Sequence, residues 1–163
     1  MSSVPGIIGH NSTRTPFFSP RQPGEFGLVC TCMGKRIAFP VVLIIEADCQ
    51  TAELYRRALS TAFRVYTCLD PREATDLLTR YRPSVMVLEP AAQGGRGWDL
   101  LAAIQRQPGG RGVPVVLCST LDERRKGMEM GAAAYLVKPV LPSTLCDALL
   151  QVIHSREEIL SGA

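Results

Sequence analysis

From residue 41 onward, short apolar runs alternate with longer stretches in which apolar residues recur at helical spacing. VVLIIE (41–46) is an unbroken, β-branched apolar run, the pattern of a strand covered on both faces. Residues 49–63 place Ala52, Tyr55, Leu59 and Phe63 on one helical stripe, with Asp48 as the N-cap. RVYTCL (64–69) predicts a second strand. DPREATDLLTRY (70–81) opens with Asp as a cap and Pro at the first helical position, a start signal with a stereochemical basis. VMVLE (85–89) predicts the third strand and GWDLLAAIQRQ (97–107) the third helix. VPVVLCS (113–119) predicts the fourth strand, and DERRKGMEM (122–130) a short helix stopped by Gly131. AYLVK (134–138) is the fifth strand, ended by Pro139. Ser143 then caps a last helix whose stripe is Leu145, Leu149, Val152 and Ile153.

Five strands alternating with five helices predict an α/β domain, a doubly wound five-stranded parallel sheet with helices on both faces. Right-handed crossovers leave few topologies, and the flavodoxin-like strand order 2-1-3-4-5 is the simplest. Ahead of it, residues 1–37 carry Pro5, Pro16, Pro20 and Pro23 among many Gly, Ser and Thr, without helix or strand periodicity. This reads as a disordered N-terminal tail, with the folded domain over 38–157 and residues 158–163 extending the last helix.

Composition narrows the class. A hydrophobic content of 46% against 20% charged residues is enough for a packed core. FPVVLII (39–45) is far too short to span a bilayer, and no basic segment leads into an apolar one as in a secretory signal. The six Cys form no C-x-x-C pair and fall mostly within predicted elements, so reduced, buried thiols and a cytoplasmic location are expected. The formal charge of +3 resides in the first forty residues, where Arg14, Arg21, Lys35 and Arg36 face Glu25 alone. The remainder balances fourteen basic against fourteen acidic side chains, so neither a nucleic acid nor a membrane surface is an expected partner.

In doubly wound sheets, ligands sit beyond the carboxyl ends of the strands. Strand one ends in Glu46, strand three in Glu89, strand four in Ser119-Thr120 and strand five in Lys138. Any one of these could be a residue leaving the core. Two carboxylates, a hydroxyl and an amine on one edge predict a shared polar site.

The arrangement resembles the receiver domain of two-component response regulators, a CheY-like fold, over residues 41 to 155. GAAAYLVKPV (131–140) is the most specific match; CLDPREATDLL and PSVMVLEPAAQGGRGWDLL follow in the right order. The resemblance implies a phosphorelay module whose partners are a histidine kinase or a downstream signalling target. It places Glu89 at the phosphoacceptor position, Glu46 and Asp48 in the acidic pocket, Ser119 and Lys138 as phosphoryl contacts, and Tyr135 as the switch aromatic. It also implies Mg²⁺ near Glu46 and Glu89.

Two departures change that expectation. The acceptor position holds Glu rather than Asp, and Ala47 stands where a second acid belongs. Mg²⁺ requires near-octahedral oxygen ligands, so Ala47 weakens or abolishes the metal site. The extra methylene moves the Glu89 carboxylate off the in-line position, where ~1 Å can cost ~100-fold. Glu89 is therefore expected to be an ion-pair partner of Lys138 in a stand-alone, atypical receiver that is not an enzyme and acts by protein binding. A homodimer is expected through the fourth helix, fifth strand and fifth helix. The rival is a cysteine-dependent phosphatase using the C-x-x-x-x-x-R spacing of Cys118 and Arg124, but Cys30 and Arg36 share that spacing and the loop lacks Gly. Trp98 reads as helix packing, the two GGRG segments (94–97 and 109–112) as loops, and His10, His154 and Cys30-Thr-Cys32 show no metal-ligand cluster.

Overall fold

The computed structural model describes residues 39–106 and 112–162; the tail predicted over 1–37 and the second GGRG segment before Gly112 lie outside them. The described chain runs β1 (Val41–Ile45), α1 (Cys49–Leu59), β2 (Arg64–Cys68), α2 (Ala74–Tyr81), β3 (Val85–Leu88), α3 (Ala92–Arg106), β4 (Val115–Ser119), α4 (Arg124–Glu129), β5 (Ala134–Val137) and α5 (Pro142–Ser161). Every strand pairing is parallel, in the order β2-β1-β3-β4-β5 predicted from the sequence.

The unbroken apolar runs are explained by two cores. Alternate residues of a strand point to opposite faces, so a central strand needs apolar side chains at every position when helices cover both. Leu43, Ile45, Met86, Leu88, Val115 and Leu117 face one way and pack on Leu101 and Ile104 of α3, with Leu77 and Leu78 of α2 against the same cluster. Val42, Ile44, Val85, Val87, Val116 and Cys118 face the other way, onto Tyr55 and Leu59 of α1 and Leu145, Leu149 and Ile153 of α5.

Several boundaries differ from the sequence reading. Helix α1 stops at Leu59, where the Ser60 backbone N–H donates to the Arg56 carbonyl; Phe63 lies in the turn before β2, buried. Before α2, Asp70 accepts from the Arg72 N–H as expected, but Pro71–Glu73 form a 3-10 turn and the α-helix begins at Ala74. Helix α3 starts at Ala92 rather than at 97, so the first GGRG is helical and not a loop. Its early turn is irregular, because Gly94 and Gly95 hold φ of 74° and 89°, values that glycine alone adopts freely. Helix α4 is shorter than predicted and ends as expected at Gly131, whose φ is 89°. Ser143 is not a cap: α5 begins at Pro142, preceded by Leu141, which makes no side-chain cap. Proline needs no hydrogen bond for the N–H it lacks, so the helix can start there uncapped.

This contrast is testable by urea denaturation. Asp48 accepts the Thr51 N–H at 2.6 Å, so Asp48→Ala should lower the urea midpoint measurably. Ser143→Ala, which removes no cap, should leave stability within about 0.5 kcal/mol. Equal losses would show that Ser143 caps α5 in solution.

Candidate functional site

Three strands are each followed by a polar residue that carries the sheet's hydrogen bonding one step further. The Glu46 N–H donates to the Cys68 carbonyl at 3.0 Å, the Glu89 N–H to Ile45 at 3.1 Å, and the Lys138 N–H to Ser119 at 2.7 Å. Each backbone is thus held in sheet register at the point where its side chain leaves the pleat. Gly97 guards the Glu89 turn, since a Cβ there would lie 2.6 Å from the Glu89 carbonyl oxygen and 2.6 Å from the Pro90 Cα. Helix α3 can approach that turn only without a side chain at 97.

Lys138 links the three ends. Its ammonium donates to Glu46 Oε2 and pairs with Glu89 Oε2 at 2.9 Å. The remaining carboxylate oxygens are also occupied: the Asp48 N–H donates to Glu46 Oε1 and the Ala91 N–H to Glu89 Oε1, both at 3.1 Å. Glu46 and Glu89 are only 5% and 7% exposed, yet no buried side-chain N or O among the described residues lacks a partner. Burial disfavours the charged lysine, but its hydrogen bonds to both carboxylates outweigh it and hold the Lys138 pKa well above the usual lysine range.

The other predicted residues sit around this trio in distinct ways. Ser119 reaches the same edge, fully buried, and its Oγ accepts the Leu121 N–H at 3.3 Å. Asp48 is exposed and its carboxylate faces α1, where the Thr51 backbone bond draws its pKa below the usual range. Tyr135 is turned inward. Its hydroxyl donates to the Leu121 carbonyl at 2.6 Å and accepts the Glu123 N–H at 3.1 Å, tying the β4–α4 loop to β5.

Of the two residues that frame Tyr135, sequence reasoning did not single out Gly127, and it weighed Arg124 only as a phosphate-loop arginine beside Cys118. A Cβ on Gly127 would lie 2.7 Å from Tyr135 Cδ2 and 2.7 Å from Leu117 Cδ1, so this glycine is the notch that admits the ring under α4. Arg124 donates to the Tyr135 carbonyl at 3.0 Å and its guanidinium lies 5.8 Å from the ring centre. An isolated glycine inside a predicted helix was the available signal.

Cys118 and Arg124 do not form a phosphate-binding loop. Cys118 is buried among α1 and α5 residues with its pKa raised by desolvation, whereas Arg124 is bound to Tyr135, which packs on the opposite face of the sheet. Trp98 packs partly buried against the core, as expected, with Lys126 4.0 Å from its ring centre. His154 bonds the Leu150 carbonyl within its own helix. Among the described residues, no three His, Cys, Asp or Glu side chains form a metal-holding group, and no helix is long and apolar enough to cross a membrane.

A parallel sheet of this order with its polar residues at the carboxyl edge is the flavodoxin-like architecture that CheY also has. Residues 42–150 match the response regulator receiver domain family, and the chain belongs to that family. It is 30% identical over 128 residues to the transcriptional regulatory protein PrrA of Mycobacterium leprae, an alignment covering 76% of this chain and 54% of PrrA. The chain therefore spans about half the length of the curated relatives it matches. Among solved structures, the chemotaxis protein CheY4 of Vibrio cholerae superposes with a TM-score of 0.66 at 26% identity, covering 71% of this chain and 99% of that one. The signal receiver domain of a signal transduction histidine kinase from Syntrophus aciditrophicus gives 0.64 at 24%, covering 71% and 91%, and shares the fold.

The ion-pair geometry makes two predictions. Lys138→Met orphans two buried carboxylates and should cost about 3–5 kcal/mol, well above an exposed pair's ~0–1. Glu89→Gln added to it should recover part of that loss in a double-mutant cycle; additive effects would mean that the side chains do not meet in solution. The pH dependence has a defined sign. A raised lysine pKa contributes stability that is complete below the ordinary value of 10.5 and is lost as pH climbs through the folded value. Wild-type stability should therefore fall above pH 10.5 more steeply than that of Lys138→Met, measured by urea melts along the alkaline range.

Proposed function

We propose that this chain is an atypical receiver domain in two-component signalling, in which a permanent Glu46–Lys138–Glu89 network stands in place of phosphoryl transfer and the output is protein–protein binding. In this reading Glu89 occupies the phosphoacceptor position, Glu46 and Asp48 the acidic pocket, Ser119 and Lys138 the phosphoryl-contact positions, and Tyr135 the switch position. The observation that carries it is the Lys138 ammonium, held at once by both buried carboxylates.

The supporting chemistry is direct. A phosphoryl acceptor needs a free carboxylate oxygen in line with the donor and a cation to neutralise developing charge. Glu89 spends one oxygen on Lys138 and the other on the Ala91 N–H. The residues present also suit Mg²⁺ poorly: Glu46 is engaged at both oxygens, Ala47 brings no ligand, and the Asp48 carboxylate caps α1.

The output surface follows from the inward Tyr135. Its bonds fix the loop that leads into α4, so the face formed by α4, β5 and α5 is presented in one state. Leu121, Met128 and Leu141 lie on or beside that face and are 55%, 47% and 69% exposed. We propose that it receives a second copy of this chain, or else a kinase or downstream signalling protein.

Mass spectrometry after incubation with acetyl phosphate and Mg²⁺ tests the reading. Wild type should gain no phosphoryl group, Glu89→Asp should gain a little, and Glu89→Asp with Ala47→Asp more, because the reach is shortened and a metal ligand restored. An acyl phosphate on wild-type Glu89 would overturn the proposal. Failure of the double variant both to bind Mg²⁺ and to accept phosphate would remove the site assignment itself.

A further inference from the structure

At the opposite edge of the sheet, β2 pairs only with β1 among the described residues, and its outer surface carries an ordered cationic stack. Tyr66 of β2 and Tyr81 of α2 lie ring on ring, with centroids 3.8 Å apart and planes 17° from parallel. The Arg64 guanidinium lies 5.5 Å from the Tyr66 centre and that of Arg80 lies 5.4 Å from the Tyr81 centre. Each ring thus has one face on the other tyrosine and a guanidinium over it as well. Next along the chain, Arg82 closes α2 at φ 45°, the only non-glycine residue at positive φ among the described residues.

The chemistry of this cluster is unspent. Arg64, Arg80 and Arg82 are all exposed, and none is in a salt bridge with a described residue. Stacking uses the flat face of a guanidinium and leaves its edge N–H donors directed outward, where a carboxylate can be met in bidentate fashion. Ordering the arginines on the rings beforehand also lowers the entropy lost when a partner binds. In a domain whose fourteen basic and fourteen acidic residues balance, two stacked cations with Arg82 next in the chain, none in an ion pair among the described residues, are a local departure.

We propose that the β2–α2 edge is a docking surface for an acidic segment of a partner protein. The tyrosine faces are already covered, so the stacking platform that single-stranded nucleic acid requires is absent. The first 38 residues of this chain, with four basic side chains against Glu25, lack the complementary charge. β2 and β5 are opposite edges of the sheet, so an acidic partner here leaves the α4–β5–α5 face free and the proposal does not depend on the state of Glu89.

Titration of the full-length, isotopically labelled chain with a polyglutamate peptide at low ionic strength tests this by NMR. Amide shifts should concentrate in β2 and α2. Arg64→Gln with Arg80→Gln should weaken binding about tenfold, as for the loss of charge-assisted hydrogen bonds, while Arg125→Gln, an equally exposed cation on α4, should leave it unchanged. Far-UV circular dichroism and thermal melts confirm that each variant is folded before it is compared. Three results would overturn the proposal: no peptide binding to wild type, equal weakening by Arg125→Gln, or tighter binding of a single-stranded oligonucleotide at the same edge.

Discussion

A lysine ammonium shared by two buried carboxylates is the interaction that disciplines the carboxyl edge of this domain. Taking such charges out of water costs several kcal/mol per ion, and the cost is offset only when every donor and acceptor is satisfied. Here β1, β3 and β5 must all end level for that to happen. β3 and β5 are separated by β4, about 9–10 Å at two strand spacings. A lysine from one side and a glutamate from the other close that gap across the end of β4, where Ser119 is fully buried. The strand order, the backbone bonds made by Glu46, Glu89 and Lys138, and the close approach of α3 at Gly97 all converge on one ammonium group.

The same edge connects to the outer face of the domain through β5. Lys138 follows directly on the strand that carries Tyr135, and Tyr135 holds the loop running from β4 to α4. Its ring is admitted by the missing side chain of Gly127 and held from outside by Arg124. A receiver that responds to phosphorylation needs this region to have two states of similar energy. In this chain the charged site and the aromatic are both bonded in the arrangement described, which supports the proposal that it acts as a binding module.

The elements themselves were legible because their signals are local. The β-branched runs at 41–46, 85–89 and 113–119 identify buried parallel strands, and the helical stripes identify what covers them. Errors occurred where a local rule met a competing one. Ser143 has the chemistry of a cap, but Pro142 beside it satisfies the helix start without one. Gly94 and Gly95 read as a loop, yet α3 absorbs them by letting both adopt positive φ. Phe63 fits the α1 stripe, but is buried from a turn instead.

The sequence by itself determined the α/β class, the parallel strand order, and the gathering of Glu46, Glu89, Ser119 and Lys138 on one edge. The class follows from periodicity; crossover handedness leaves few strand orders, of which the flavodoxin-like one is the simplest, and that order gathers the four strand-end residues on one edge. Only the tertiary structure decided that Lys138 serves Glu46 as well as Glu89, that Asp48, read both as the α1 cap and as a pocket acid, spends its carboxylate on the cap, and that Cys118 and Arg124 lie on opposite sides of the sheet. The same holds for the notches at Gly97 and Gly127 and for the stack that joins Tyr66 to Tyr81. These pairings bring together residues from different elements, and side-chain reach and the distance between backbones settle them. Neither quantity is written in the spacing along a chain.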